Sequence, residues 1–162
     1  MAWLLHTNML GGFHFNDRRY ADDDLTLGSI DPYQIFRIFH EIHAATDDGL
    51  GIDIAYMIDQ SHNLKGKMEA MVQTVSTAQE LYLKAALVDR EKLAELQQTC
   101  ELVAAEELYR GAFWTDVRPL VRAWREARGL PADPLAALRE SGYVERAAKE
   151  RGSRSMAVSS YA

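Results

Sequence analysis

The sequence predicts an α/β fold in which a parallel β-α-β unit leads into a run of helices. Three observations carry this. "GGFHFN" and "IDIAYMID" are short apolar runs bounded by Gly, Asn and Asp, as buried strands are. Between them "DPYQIFRIFHEI" offers Asp31 as an N-cap, Pro32 at the first helical position, and Phe36, Ile38, Phe39 and Ile42 as a stripe. Beyond Asp59, apolar residues recur at helical rather than alternating spacing.

Element by element, "MAWLLHTNML" looks like the last turns of an amphipathic helix stopped at Gly11-Gly12. Residues 12–15 form the first strand, and residues 16–30, polar and Gly-containing, a loop. A helix runs from Asp31-Pro32 to about residue 45, where "DDGLG" ends it. The second strand covers residues 52–58, with β-branched and aromatic content. A long helix over 65–88 places Met68, Met71, Val72, Val75, Ala78, Leu81 and Tyr82 on one face, and these read as core packing. Residues 90–110 form a further helix with Leu93, Leu96, Cys100, Val103 and Leu108. "TDVRPLVRAWREARG" and "DPLAALRESGYVERAAKERG" give two more, and the tail "SRSMAVSSYA" is expected to fray. The division that follows is residues 1–64, carrying the β-α-β unit, and residues 65–162, all helical.

Composition narrows the function classes. Eighteen Lys and Arg against 24 Asp and Glu give a formal charge of −6. The basic residues are interleaved with acids, which argues against a nucleic-acid backbone as partner. No apolar run approaches the length of a membrane span, and the N-terminus lacks the features of a signal peptide. One cysteine, Cys100, excludes a disulfide framework and suits a cytoplasmic setting; a buried apolar thiol is the expectation for it.

The chemistry-bearing residues lie where strands end, the side on which α/β folds collect functional groups. His14 ends the first strand and Asp59 the second. Asp22 and Asp24 stand two apart in the intervening loop, so an extended chain would aim both carboxylates one way. An imidazole with several carboxylates suits Mn²⁺ or Mg²⁺ better than structural zinc. Plainer readings stand beside this one. A strand histidine is more often a hydrogen-bonded core residue than a ligand, an acidic triplet is usually a solvated loop, and Asp59 could cap a turn. An EF-hand starting at Asp22 fails, because Leu27 falls where Gly is required and Tyr33 where Glu is required. Ser61, His62 and Asp59 make a poor nucleophilic triad, since neighbours on one short loop rarely take those three orientations.

"GGFHFNDRRYADDDLTLGSIDPYQIFRIFHEI" and "IDIAYMIDQSHNLKGKMEAMVQTV" resemble the C-terminal part of bacterial L-rhamnose isomerases, in the xylose-isomerase-like group, and the likeness extends through "AQELYLKAALVD" to nearly the whole chain. The resemblance implies the C-terminal portion of a (β/α)8 TIM barrel, its last two strands, followed by an extended helical C-terminal region. It implies a homotetrameric aldose–ketose isomerase acting on L-rhamnose and L-rhamnulose with two divalent cations, Mn²⁺ foremost, with Zn, Co or Mg as alternatives. His14 and Asp59 would hold the first ion, Asp22 and Asp24 the second, and Ser61 and His62 would lie near the substrate. The bridging glutamate and the ligands from earlier strands have no counterpart here. That implies a fragment, inactive without the N-terminal barrel portion, with Met1 an internal start or the edge of a truncated frame. The alternative expectation is a non-catalytic helical assembly module with a residual acidic metal site.

Overall fold

The computed structural model describes residues 1–20, 23–50, 53–60 and 66–152. The elements in chain order are α1 (Ala2–His6), β1 (Gly12–Phe15), α2 (Pro32–Asp47), β2 (Ala55–Ile58), α3 (Lys67–Ala86), α4 (Arg90–Gln98), α5 (Leu102–Trp114), α6 (Arg118–Glu126), α7 (Pro134–Glu140) and α8 (Tyr143–Glu150). Asp22, Ser61, His62 and the tail from residue 153 lie outside the described residues.

β1 and β2 pair in parallel, Gly12 opposite Ala55 and Phe15 opposite Ile58. Two further amides extend the ladder, Ala55 N–H to Gly11 at 3.0 Å and Asp59 N–H to Phe15 at 3.1 Å. Gly12 permits the close approach, since a Cβ there would stand 2.9 Å from the Ala55 carbonyl oxygen. α2 begins as its sequence dictates: Asp31 accepts from the Gln34 amide at 2.9 Å, with Pro32 in the first turn. Its buried stripe of Ile35, Phe36, Phe39 and Ile42 joins Phe15, Leu27, Leu81, Ala85, Leu93 and Leu96 in one core. Phe15 meets Phe39 at 5.6 Å between ring centres, which seats β1 on α2. Phe36 then meets Tyr109 and Phe113 of α5 edge to face at 5.2 and 5.5 Å.

The expectation of a TIM-barrel portion is overturned. Among the described residues the chain is predominantly helical, and its sheet has two strands of four residues that pair with each other. A barrel closes through eight mutually paired, tilted strands. Residues 66–152 supply helices instead, burying Leu81 of α3, Leu93 and Leu96 of α4 and Val121 of α6. β2 is apolar, yet Ala55, Tyr56 and Met57 are exposed. Beside it, an apolar groove of about 680 Å³ runs between Phe15, Tyr56 and Ile58 of the sheet and Val75, Tyr82 and Trp124 of the helices.

Other differences have local causes. The helix expected over 90–110 is two helices, broken where Cys100 turns left-handed at φ +58°. There the Cys100 amide bonds to Gln97 at 3.2 Å and the Glu101 amide to Leu96 at 2.8 Å, a Schellman closure that glycine usually provides. Cys100 is therefore exposed, not buried. Gly142, at φ +60°, likewise divides the last expected helix into α7 and α8. On α3 the buried face is Ala70, Thr74, Leu81 and Ala85, whereas Met68, Val75 and Tyr82 are exposed. Among the described residues no helix is long and apolar enough to cross a membrane.

His40 of α2 is 7% exposed, its ring centre 4.9 Å from that of Tyr109, and its Nδ1 has no hydrogen-bond partner among the described residues. Burial, then the neighbouring charges of Arg90 on α4 and His43 on α2, hold its pKa below the ordinary 6.5.

Two predictions follow from these positions. Replacing Cys100 by Gly removes a left-handed cost of about 1–2 kcal/mol, less the extra unfolded-chain entropy of glycine, and stabilises the fold by about 0.5–1 kcal/mol. Urea unfolding measures it; an unchanged or lower midpoint contradicts it. For His40, the unfolded chain takes up a proton that the folded chain resists. The stability this group supports is complete above about pH 6.5 and declines as pH falls below that value. Melting temperatures between about pH 7.5 and 5.5 should drop more steeply for the wild type than for His40→Phe, and parallel slopes refute the assignment.

Candidate functional site

Alternation along β1 sorts its side chains. Phe13 and Phe15 turn toward the helices and stack at 5.5 Å, while His14 faces the opposite side. On β2, Tyr56 and Ile58 share the Phe15 side, and Met57, opposite His14 in the ladder, shares the other. Asp59 follows two residues after Met57 and so falls on the His14 face. Its Oδ2 lies 3.2 Å from His14 Nδ1. Both side chains are open to solvent, at 61% and 59% exposure. The histidine is thus not a core residue: the register of two parallel strands holds an imidazole and a carboxylate together on an open sheet face. Nδ1 and the carboxylate oxygen face each other, so an ion held by both residues would lie between these two atoms.

The acidic loop is attached to the same strand end. Asn16 Nδ2 donates to Asp24 Oδ1 at 2.9 Å. Asp24 itself is left-handed, at φ +39°, so the extended geometry expected to align it with Asp22 does not hold at this residue. Asp23 turns inward on the loop and accepts from the amides of Tyr20 at 3.0 Å and Arg19 at 3.1 Å. Those bonds, the Tyr20 amide foremost, hold its carboxyl below the usual carboxylate range.

The structure therefore brings His14 and Asp59 together and ties Asp24 to the end of β1. Among the described residues, no three His, Cys, Asp or Glu side chains converge as metal ligands. The donor chemistry of the His14–Asp59 pair, one borderline nitrogen and one hard oxygen, fits two positions of a Mn²⁺-class ion. Sequence reasoning missed Asn16 and Asp17. The signal was "FND", two Asx residues directly after a strand; Asn16 bonds the Asp24 side chain and Asp17 the amides of Ile30 and Asp31 across the loop.

What these features define is a β-α-β unit with a polar pair at its strand ends, braced by helices. No protein-family model matches the chain. It is 42% identical over 152 residues, 93% of its length, to a protein of Rhizobium meliloti (strain 1021) named a probable sugar isomerase. It is 41% identical over 149 residues, 91% of its length, to a protein of the same description from Mesorhizobium japonicum. The chain spans about a third (35%) of the length of these curated relatives.

Proposed function

We propose that this chain supplies part of the active site of an aldose–ketose isomerase of the L-rhamnose to L-rhamnulose class, working as one segment of a longer sugar isomerase. The observation that carries the reading is the His14–Asp59 pair, 3.2 Å apart on an exposed sheet face. The likeness to proteins named probable sugar isomerases supports it.

The reaction moves one hydrogen between C1 and C2 of an open-chain sugar with no net oxidation. His14 Nδ1 and Asp59 Oδ2 aim at one another 3.2 Å apart, so a cation held by both would sit between them in place of the shared proton. His14 and Asp59 would hold one divalent cation, Mn²⁺ foremost, and Asp22 and Asp24 a second. Such ions, when bound, polarise neighbouring sugar oxygens and stabilise developing alkoxide charge, an effect worth several kcal/mol. Asn16 holds Asp24 near this strand end. Ser61 and His62 are assigned to the substrate side. In this reading residues 1–64 carry the site, residues 65–162 brace it, and the partners are a small sugar, the remainder of an isomerase chain and further copies of the assembly.

A second reading, a non-catalytic helical assembly module, draws on exposed apolar residues of α5: Leu102, Val103 and Trp114, at 69%, 73% and 71% exposure.

One experiment separates the two. The chain alone with Mn²⁺ should not interconvert rhamnose and rhamnulose. Co-expression with the portion of the Rhizobium meliloti protein outside the matched region should restore conversion. Asp59→Asn should then lower it by about 10- to 100-fold or more, since a carboxylate that would hold the cation is lost. Restored conversion that is indifferent to Asp59→Asn and His14→Ala sinks the site assignment. Absence of conversion in every combination favours the assembly module.

A further inference from the structure

Asp17 is a carboxylate at 7% exposure, three residues beyond His14. A charge so buried is costly unless hydrogen bonds replace its water. Its Oδ2 accepts from the amides of Ile30 at 2.7 Å and Asp31 at 3.1 Å. These amides lie just ahead of α2, where the positive end of a helix favours an anion. The backbone of Asp17 is engaged as well: its N–H donates to Leu25 at 2.8 Å and its carbonyl accepts from the Leu25 amide at 2.6 Å. One residue thus closes two rings of chain. The inner ring, residues 17–25, contains Asp23 and Asp24; the outer ring, residues 17–31, returns the chain to the N-cap of α2.

The outer ring is held from below too. Thr26 and Leu27 are buried at 7% and 2% exposure. Gly28, at φ +75°, lies so near α3 that a Cβ would stand 2.7 Å from Thr77 Cγ2. The far leg of the loop is therefore fixed to the core, and Asp17 fastens the near leg to it.

We propose that Asp17 is the positioning residue of the acidic loop: its buried carboxylate latches the loop's two legs together and so sets where Asp24 stands relative to His14 and Asp59. The proposal rests on the reading that Asp22 and Asp24 hold a cation. It adds to that reading a residue that touches neither cation nor substrate.

The test is Asp17→Asn in the full chain, read two ways. Amide hydrogen exchange by NMR should quicken about tenfold or more at Arg19, Tyr20, Leu25, Ile30 and Asp31, because charge-assisted bonds are lost. The strand amides of Ala55 and Asp59 should keep wild-type rates. Mn²⁺ affinity by calorimetry should fall about fivefold or more. Leu93→Ala, which opens the core at α4, should match the loss of melting temperature without either local effect. Unchanged loop exchange in Asp17→Asn, or the same loop response in Leu93→Ala, overturns the latch. Should wild-type protein bind no Mn²⁺ while the loop amides respond as expected, the cation reading falls and the latch stands. If Asp17→Asn does not fold, wild-type exchange under rising denaturant decides. The amides of Leu25, Ile30 and Asp31 should open together below global unfolding, and separate openings refute the latch.

Discussion

The parallel register of β1 on β2 is the constraint on which the rest depends. Four residue pairs and two flanking amides fix it, and Gly12 allows the close approach. A slip of one residue would turn His14 toward α2 and Phe15 toward water. The aromatic contacts prevent this. Phe15 lies between Phe39 and Tyr56, at 5.6 and 5.7 Å, so the hydrophobic seat of one side chain determines where the next one points. The polar site is thus a by-product of core packing on the other face of the sheet.

The helices serve that seat. α2 carries the aromatic ridge, and α3 and α5 clamp it from either side through Tyr82 on Phe39 and Tyr109 on Phe36. Arg90, at the start of α4, bonds Asp47 at 2.6 Å and Asp48 at 3.1 Å, so it ties the end of α2 to the following layer. Much of this chain's apolar surface is nonetheless open: β2, the groove beside it, and α5. The same two strands therefore present one polar face suited to chemistry and one apolar face continuous with the groove.

Much of this was legible in the residues. The limits of β1, the cap and first turn of α2, and the place of His14 and Asp59 at strand ends follow from local rules that tertiary packing leaves intact. What local rules missed depends on distant neighbours. Cys100 takes a left-handed turn that its side chain does not advertise, so one apparent helix is two. α3 buries Ala70 and Thr74 rather than its methionines, because Gln60 accepts from the Thr74 hydroxyl at 2.8 Å and small residues admit the close contact. Asp17 looks like one more acid in a polar loop, and only burial reveals it as a fastening. The barrel expectation came from resemblance, and the pairing of two short strands with each other overturns it.

The most direct test of the central claim is the tautomer of His14, read by nitrogen-15 NMR of the imidazole at a pH where the ring is neutral. The register predicts a proton on Nδ1, with the ring signals shifting when Asp59 becomes Asn. A proton on Nε2, with signals indifferent to that change, would contradict the pairing of the two strand ends.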